Sequence, residues 1–162
     1  MTLGELNELD QARADAEFRR CCGSLRWART MAAARPFATL EAMIDAGDAC
    51  WAALPADDWL EAFAAHPRIG EQQPGSAWSS EEQAGMASAA DDVRAKLAAL
   101  NAAYLSRFGY IFIVCATGLS PAEMLSMLEA RLSNRPAIEL RIAAEEQRRI
   151  TGLRLAKLAG DE

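Results

Sequence analysis

The chain has 162 residues, 51% apolar and 25% charged, with a net charge of −6. That length can bury a core in one domain, no apolar run approaches the roughly 20 residues that cross a bilayer, and acidic and basic residues are interspersed, which argues against a nucleic-acid partner. Four cysteines form no C-x-x-C pair and there is one histidine, so no Cys/His zinc set can be assembled, no metal is expected, and the thiols read as buried and reduced.

Alanine, leucine, glutamate and arginine dominate, and strand-like alternation is nearly absent, so the fold class is all-α: one domain over residues 1–162, a bundle of about seven or eight helices. Leu3, Leu6 and Leu9 predict a short opening helix, and Asp10 caps a second one carrying Phe18, Cys21, Cys22 and Leu25. Trp27 to Ala34 predicts a third, stopped at Arg35-Pro36. Thr39 caps a fourth from Leu40 to about Ala53, with Leu40, Ile44 and Trp51 near one face. Pro55 suits a first helical position, Asp57 and Asp58 complement the dipole of the first turn, and this helix runs through Trp59, Leu60 and Phe63 to His66. Residues 67–78 hold Pro67, Gly70, Pro74, Gly75 and Ser76 and read as a loop. Ser79 and Ser80 open a long helix to about Ser106, which Phe108-Gly109 breaks. Tyr110 to Cys115 is apolar and too short for periodicity to separate a strand from a buried extended loop. After a turn at Thr117-Gly118, Ser120-Pro121-Ala122-Glu123 carries the cap, the first-position proline and the third-position glutamate of a helix start. That helix ends near Ser133-Asn134, and the last runs from about Pro136 to Ala159.

Three side chains carry chemical potential. His66 precedes a proline, so it closes its helix or lies just beyond it. There it is either a surface or C-capping residue, or a group whose pKa near about 6.5 lets it exchange protons at neutral pH. Glu82 completes a capping box with Ser79, but Ser80 and Gln83 could form the box instead, leaving Glu82 to meet His66. The amides opening that helix are themselves anion ligands. Arg154 falls midway between Ile150 and Leu158, about 40° from each on an ideal helix. It is either a snorkelling side chain or a guanidinium clamp for a carboxylate or a planar urea-like group. If Tyr110–Cys115 is extended and unpaired, its backbone groups need partners, and a flat amide-rich heterocycle can supply them.

His66-Pro67-Arg68-Ile69-Gly70, Ser79-x-x-Glu82-Gln83, Asn101-x-x-Tyr104 leading to Phe108-Gly109-x-x-Phe112-x-x-Cys115, Arg131-Leu132-x-Asn134 with Glu139, and Leu153-Arg154-Leu155 occur in order. Over nearly the whole chain this resembles the 2-oxo-4-hydroxy-4-carboxy-5-ureidoimidazoline (OHCU) decarboxylases, the third enzymes of the route from urate to allantoin. The resemblance implies a cofactor-free, all-helical homodimer whose small-molecule substrate is OHCU. It implies catalysis by His66, supported by Glu82, with Arg154 holding the substrate. Substrate binding would involve Pro67, Ser79, Ser80, Glu81, Glu82, Gln83, Phe112, Val114, Cys115, Ala116, Thr117 and Gly118, all expected to face one pocket. Arg131, Asn134 and Glu139 read as structural. The loop between His66 and Ser79 is shorter than in some relatives, and Ala159-Gly160-Asp161-Glu162 is no peroxisomal address. Without a basic-then-apolar leader at Met1-Thr2-Leu3-Gly4-Glu5, the expected location is the cytoplasm. Two rivals stand beside this reading: the same scaffold acting on another ureido or imidazoline compound, and a non-catalytic helical interaction module.

Overall fold

The computed structural model describes residues 1–67 and 91–160, and among these the regular structure is helical. The eight helices among the described residues are α1 (Leu3–Glu8), α2 (Gln11–Cys21), α3 (Leu25–Ala34), α4 (Leu40–Ala53), α5 (Ala56–Ala64), α6 (Asp91–Phe108), α7 (Pro121–Arg131) and α8 (Pro136–Ala159). The only strand-like contact among the described residues is an isolated antiparallel bridge between Thr2 and Gly160. The all-α expectation therefore holds. The loop expected over 67–78 and the helix start at Ser79–Gln83 lie outside the described residues, apart from Pro67.

Helix starts follow local chemistry. Thr2 accepts from the Glu5 amide while Glu5 reaches back to the Thr2 amide, a reciprocal capping box, and Ser120 with Glu123 repeats it at α7 behind Pro121. Asp10 and Thr39 cap α2 and α4 as expected. Two boundaries differ. Leu25 belongs to α3, because the Ser24 hydroxyl accepts from the Trp27 amide and starts a new helix there. Pro55 is the residue before α5 rather than its first residue; its carbonyl receives the Asp58 and Trp59 amides, and no side chain caps the turn. On α4 the buried row is Met43, Gly47 and Trp51, one residue round from the expected face, with Leu40 and Ile44 half-buried at its flank.

The described residues divide into two compact units, Met1–Ala65 with the chain from Gln147 onward, and His66–Glu146. In the first, α3 packs against α2, α4 and α5. Trp27 is fully buried, meets Phe18 edge-on at 6.0 Å, and donates its indole N–H to the Gly47 carbonyl at 3.0 Å. Gly47 makes that approach possible, since a Cβ there would lie 3.3 Å from both Trp27 and Leu155. Arg35 donates to the carbonyls of Leu6 and Leu9 at 2.8 and 2.7 Å, closing α1 where no side chain of its own can. Gln147, Ile150, Thr151, Arg154, Leu155 and Leu158 recur at helical spacing as the buried row of α8 in this unit.

In the second unit α6 packs on α7. Leu97, Tyr104, Phe112, Val114, Met124 and Leu128 form its core. The break after α6 is made by Gly109 at φ 83°, a conformation L side chains rarely adopt, and Gly118 at φ 82° makes the turn before α7. Between them, residues 111–116 are neither helix nor strand, and Phe112 to Cys115 are buried.

Candidate active site

The sequence candidates distribute over the two units as follows. His66 and Pro67, both half-buried, open the second unit immediately after α5. Ala65 is the C-cap of α5, with φ −78° and ψ −12°, and its amide donates to the Ala62 carbonyl at 3.2 Å. His66 therefore lies just beyond the helix, as a residue before proline should. Phe112, Val114, Cys115, Ala116, Thr117 and Gly118 come together as one continuous segment in the same unit: the first three buried, Ala116 half-buried, Thr117 and Gly118 exposed. Arg154 belongs to the first unit. Ser79, Ser80, Glu81, Glu82 and Gln83 lie outside the described residues.

The end of α5 is set by a residue the sequence reading passed over. A Cβ on Gly23 would lie 2.4 Å from the Ala65 Cβ, so the α2–α3 connection touches the last turn of α5 at a distance only glycine permits. The nearest signal in the sequence is a glycine between two helices, which reads simply as a turn. Gly23→Ala is expected to cost about 1–3 kcal/mol by overpacking. Urea unfolding of that variant and of Gly23→Ala/Ala65→Gly checks it: the second change removes the clashing methyl and should recover most of the loss.

Arg154 is only 8% exposed, so it does not lie along an open helix edge. Its neighbours include two thiols. Burial pushes the Cys21 thiol far above its ordinary range, and pushes Cys22 up to about 12, with the Arg154 guanidinium drawing both back down. These cysteines stay protonated and unreactive at neutral pH. All four cysteines are free; Cys21, Cys22 and Cys115 are buried, whereas Cys50 is half-buried, less enclosed than the sequence reading supposed.

The 112–118 segment is held from beneath by a polar network. Glu139, fully buried on α8, accepts from Arg131 Nε and Nη2 at 2.9 and 2.5 Å and from the Tyr104 hydroxyl. Its other oxygen accepts from Asn134 Nδ2 at 3.0 Å. Arg131 then donates through Nη1 to the Ile113 carbonyl at 2.6 Å, and its guanidinium lies 4.4 Å over the Phe112 ring. The cation thus spans a carboxylate, a backbone carbonyl and an aromatic face. The Cys115 amide donates to Glu146 Oε1 at 3.4 Å. The Ile113 carbonyl and the Cys115 amide, which have no sheet partner, are in this way met by side chains of α7 and α8. Glu146 was not singled out from sequence, although a carboxylate three residues beyond Ala143 and four before Ile150 falls on the apolar row. Among the described residues, no three His, Cys, Asp or Glu side chains are grouped so as to hold a metal ion.

Among the described residues the regular structure is helical, with a histidine just past a helix end, a buried arginine and a pinned, non-helical apolar segment. The chain belongs to the OHCU decarboxylase family, whose sequence model matches residues 7–156. It is 42% identical over 153 residues to the Arabidopsis thaliana uric acid degradation bifunctional protein TTL, covering 90% of this chain and 47% of that one. It is 36% identical over 132 residues to the Mus musculus 2-oxo-4-hydroxy-4-carboxy-5-ureidoimidazoline decarboxylase, covering 78% of this chain and 74% of that protein. The chain thus spans about half the length of its bifunctional plant relative. Among solved structures, an OHCU decarboxylase crystallised in the presence of (S)-allantoin superposes with a TM-score of 0.81 at 42% identity, covering 90% of this chain and 98% of that one.

Proposed function

We propose that this chain decarboxylates OHCU to (S)-allantoin and CO2, the third step of urate degradation, without a cofactor. The observation that carries the reading is the 42% identity, across nearly all of its length, to an OHCU decarboxylase crystallised in the presence of (S)-allantoin.

OHCU carries a carboxylate and a hydroxyl on one ring carbon. Breaking the bond to the carboxylate releases CO2 and leaves an electron pair on that carbon, which the adjacent C=N and carbonyl groups delocalise. A proton then adds to the neighbouring ureido-bearing carbon, the former C=N carbon, while the hydroxyl gives up its proton and becomes the ring carbonyl of allantoin. The substrate is its own electron sink, so the protein's task is to stabilise developing charge with fixed donors and to govern where the proton arrives. His66 is the general acid/base beside the leaving carboxylate, oriented by Glu82. Arg154 holds the substrate through charge-assisted bonds. Backbone at Pro67, at Ser79, Ser80, Glu81 and Gln83, and from Phe112 and Val114 through Cys115, Ala116, Thr117 and Gly118 fixes the ring and ureido arm, so that protonation on one face gives the (S) product.

The proposal includes a cytoplasmic homodimer acting on a small molecule, with no nucleic acid or membrane partner and the whole chain serving as one OHCU decarboxylase-like domain. No helix among the described residues is long and apolar enough to cross a membrane.

Circular dichroism during urate breakdown tests the activity, with urate oxidase and hydroxyisourate hydrolase generating fresh OHCU. The (S)-allantoin signal should rise rapidly only when this protein is present. Spontaneous decay gives racemic, CD-silent product, so a signal no faster than that background sinks the proposal and turns attention to other ureido substrates.

A further inference from the structure

We infer that Glu146 and Arg131 are positioning residues that turn the backbone of Val114 outward as a paired donor and acceptor for the substrate's planar amide edge. The inference rests on the decarboxylase reading for the identity of that edge, and on the geometry of two peptide planes for the rest. A trans peptide is planar, with its C=O and N–H pointing in opposite directions. The peptide joining Ile113 to Val114 aims its carbonyl at Arg131 Nη1, 2.6 Å away, so the Val114 N–H of the same plane points away from Arg131. The peptide joining Val114 to Cys115 aims its N–H at Glu146 Oε1, 3.4 Å away, so the Val114 C=O points away from Glu146. Two charged side chains on α7 and α8 thereby fix both planes flanking one residue.

What they leave is unusual for a buried position. Val114 is 5% exposed, yet its N–H and C=O make no hydrogen bond to any partner among the described residues. Buried backbone groups in folded proteins are nearly always paired, with protein, water or ligand. A donor and an acceptor on one residue match the complementary pair on a cyclic amide or a ureido group, which offers an acceptor and a donor side by side. Arg131 is itself fixed by Glu139, so the anchor does not swing. Glu146 is the more informative residue to change, since its bond to Cys115 can be removed without unpairing Glu139.

Glu146→Met keeps the length and helix propensity of the side chain but lacks the acceptor; Glu146→Gln keeps an acceptor. E146M is expected to raise KM for OHCU about tenfold with kcat within about twofold of wild type, and to speed hydrogen exchange at the Cys115 amide, while E146Q stays within about threefold in KM. A purely structural Glu146 would lower the unfolding temperature of E146M and leave KM alone. That result, or equal KM in E146M and E146Q, overturns the inference. If E146M does not fold, the wild-type protein decides by NMR: (S)-allantoin should shift the Val114 amide resonance and slow its exchange, and an indifferent Val114 amide overturns it. A wild-type enzyme without OHCU turnover overturns the decarboxylase reading, an outcome read from the wild type alone and distinct from any ratio between variants.

Discussion

His66→Ala is expected to lower OHCU turnover by about 10²–10⁴-fold, the span of a lost general acid/base, and to leave helical content unchanged. The argument begins with where the residue sits. Helix α5 is closed by backbone bonds, the Ala65 amide donating to Ala62, and needs no imidazole to end. Phe63 and Ala62 provide the buried anchors of its last turn, whereas His66 is only half-buried in the bend that follows. Replacing a residue so placed should shift stability by no more than about 0.5 kcal/mol, so activity and folding separate cleanly. Far-UV circular dichroism monitors the helices and the (S)-allantoin signal monitors turnover on the same sample. His66→Gln refines the result: it retains a hydrogen-bonding amide but cannot titrate, so it should fail as fully as alanine if proton transfer is the role. A folded His66→Ala protein with near-wild-type turnover would remove His66 from the mechanism, and with it the main chemical content of the proposal.

What could be read from sequence was the local part of the fold. Asp10, Thr39 and Ser120 each act on an amide three residues away, so the information needed lies within one turn. The breaks at Gly109 and Gly118 are equally local. Ser24 escaped because the apolar periodicity runs on through Leu25, masking a cap between two helices. Nonlocal features were out of reach for a different reason. Nothing near Gly23 in sequence announces that Ala65 will lie against it, and nothing near Glu146 points to an amide 31 residues earlier. For Arg154 the spacing left a snorkelling side chain and a clamp as equals, and burial favours an enclosed guanidinium without specifying its ligand. For the candidate site, the roles of His66, Glu82 and Arg154 came from ordered motifs shared with a family, since a lone histidine before a proline has bland explanations of equal physical merit. Only the apolar 112–115 run carried its own hint, in the form of backbone groups that had to find partners.

The second large effect concerns the network under that run. Glu139→Ala is expected to destabilise the protein by about 3–5 kcal/mol, the cost of leaving a buried charge without its partner. Arg131 would stay buried beside the gap. Its Nε and Nη2 would both lose an acceptor, as would Asn134 Nδ2 and the Tyr104 hydroxyl. The tyrosine reports on the same environment. Desolvation first, and then its bond to Glu139, push the Tyr104 hydroxyl well above the ordinary tyrosine value, against the opposing pull of Arg131. A pKa raised by folding contributes stability that is full below the unfolded value and is lost as pH climbs through the folded one, so wild-type unfolding free energy should decline in strong alkali. The mutational test is urea unfolding of Glu139→Ala, Arg131→Met and the double variant Arg131→Met/Glu139→Leu. If the penalty is that of an orphaned charge, replacing both partners with apolar side chains of similar size should cost less than Glu139→Ala alone, because no unpaired ion remains. The double variant would still lack the anchor on Ile113, so stability should recover while, on the proposed function, KM for OHCU rises. A Glu139→Ala protein within about 0.5 kcal/mol of wild type would mean that water reaches Arg131 and that the network neither encloses a charge nor fixes the backbone above it.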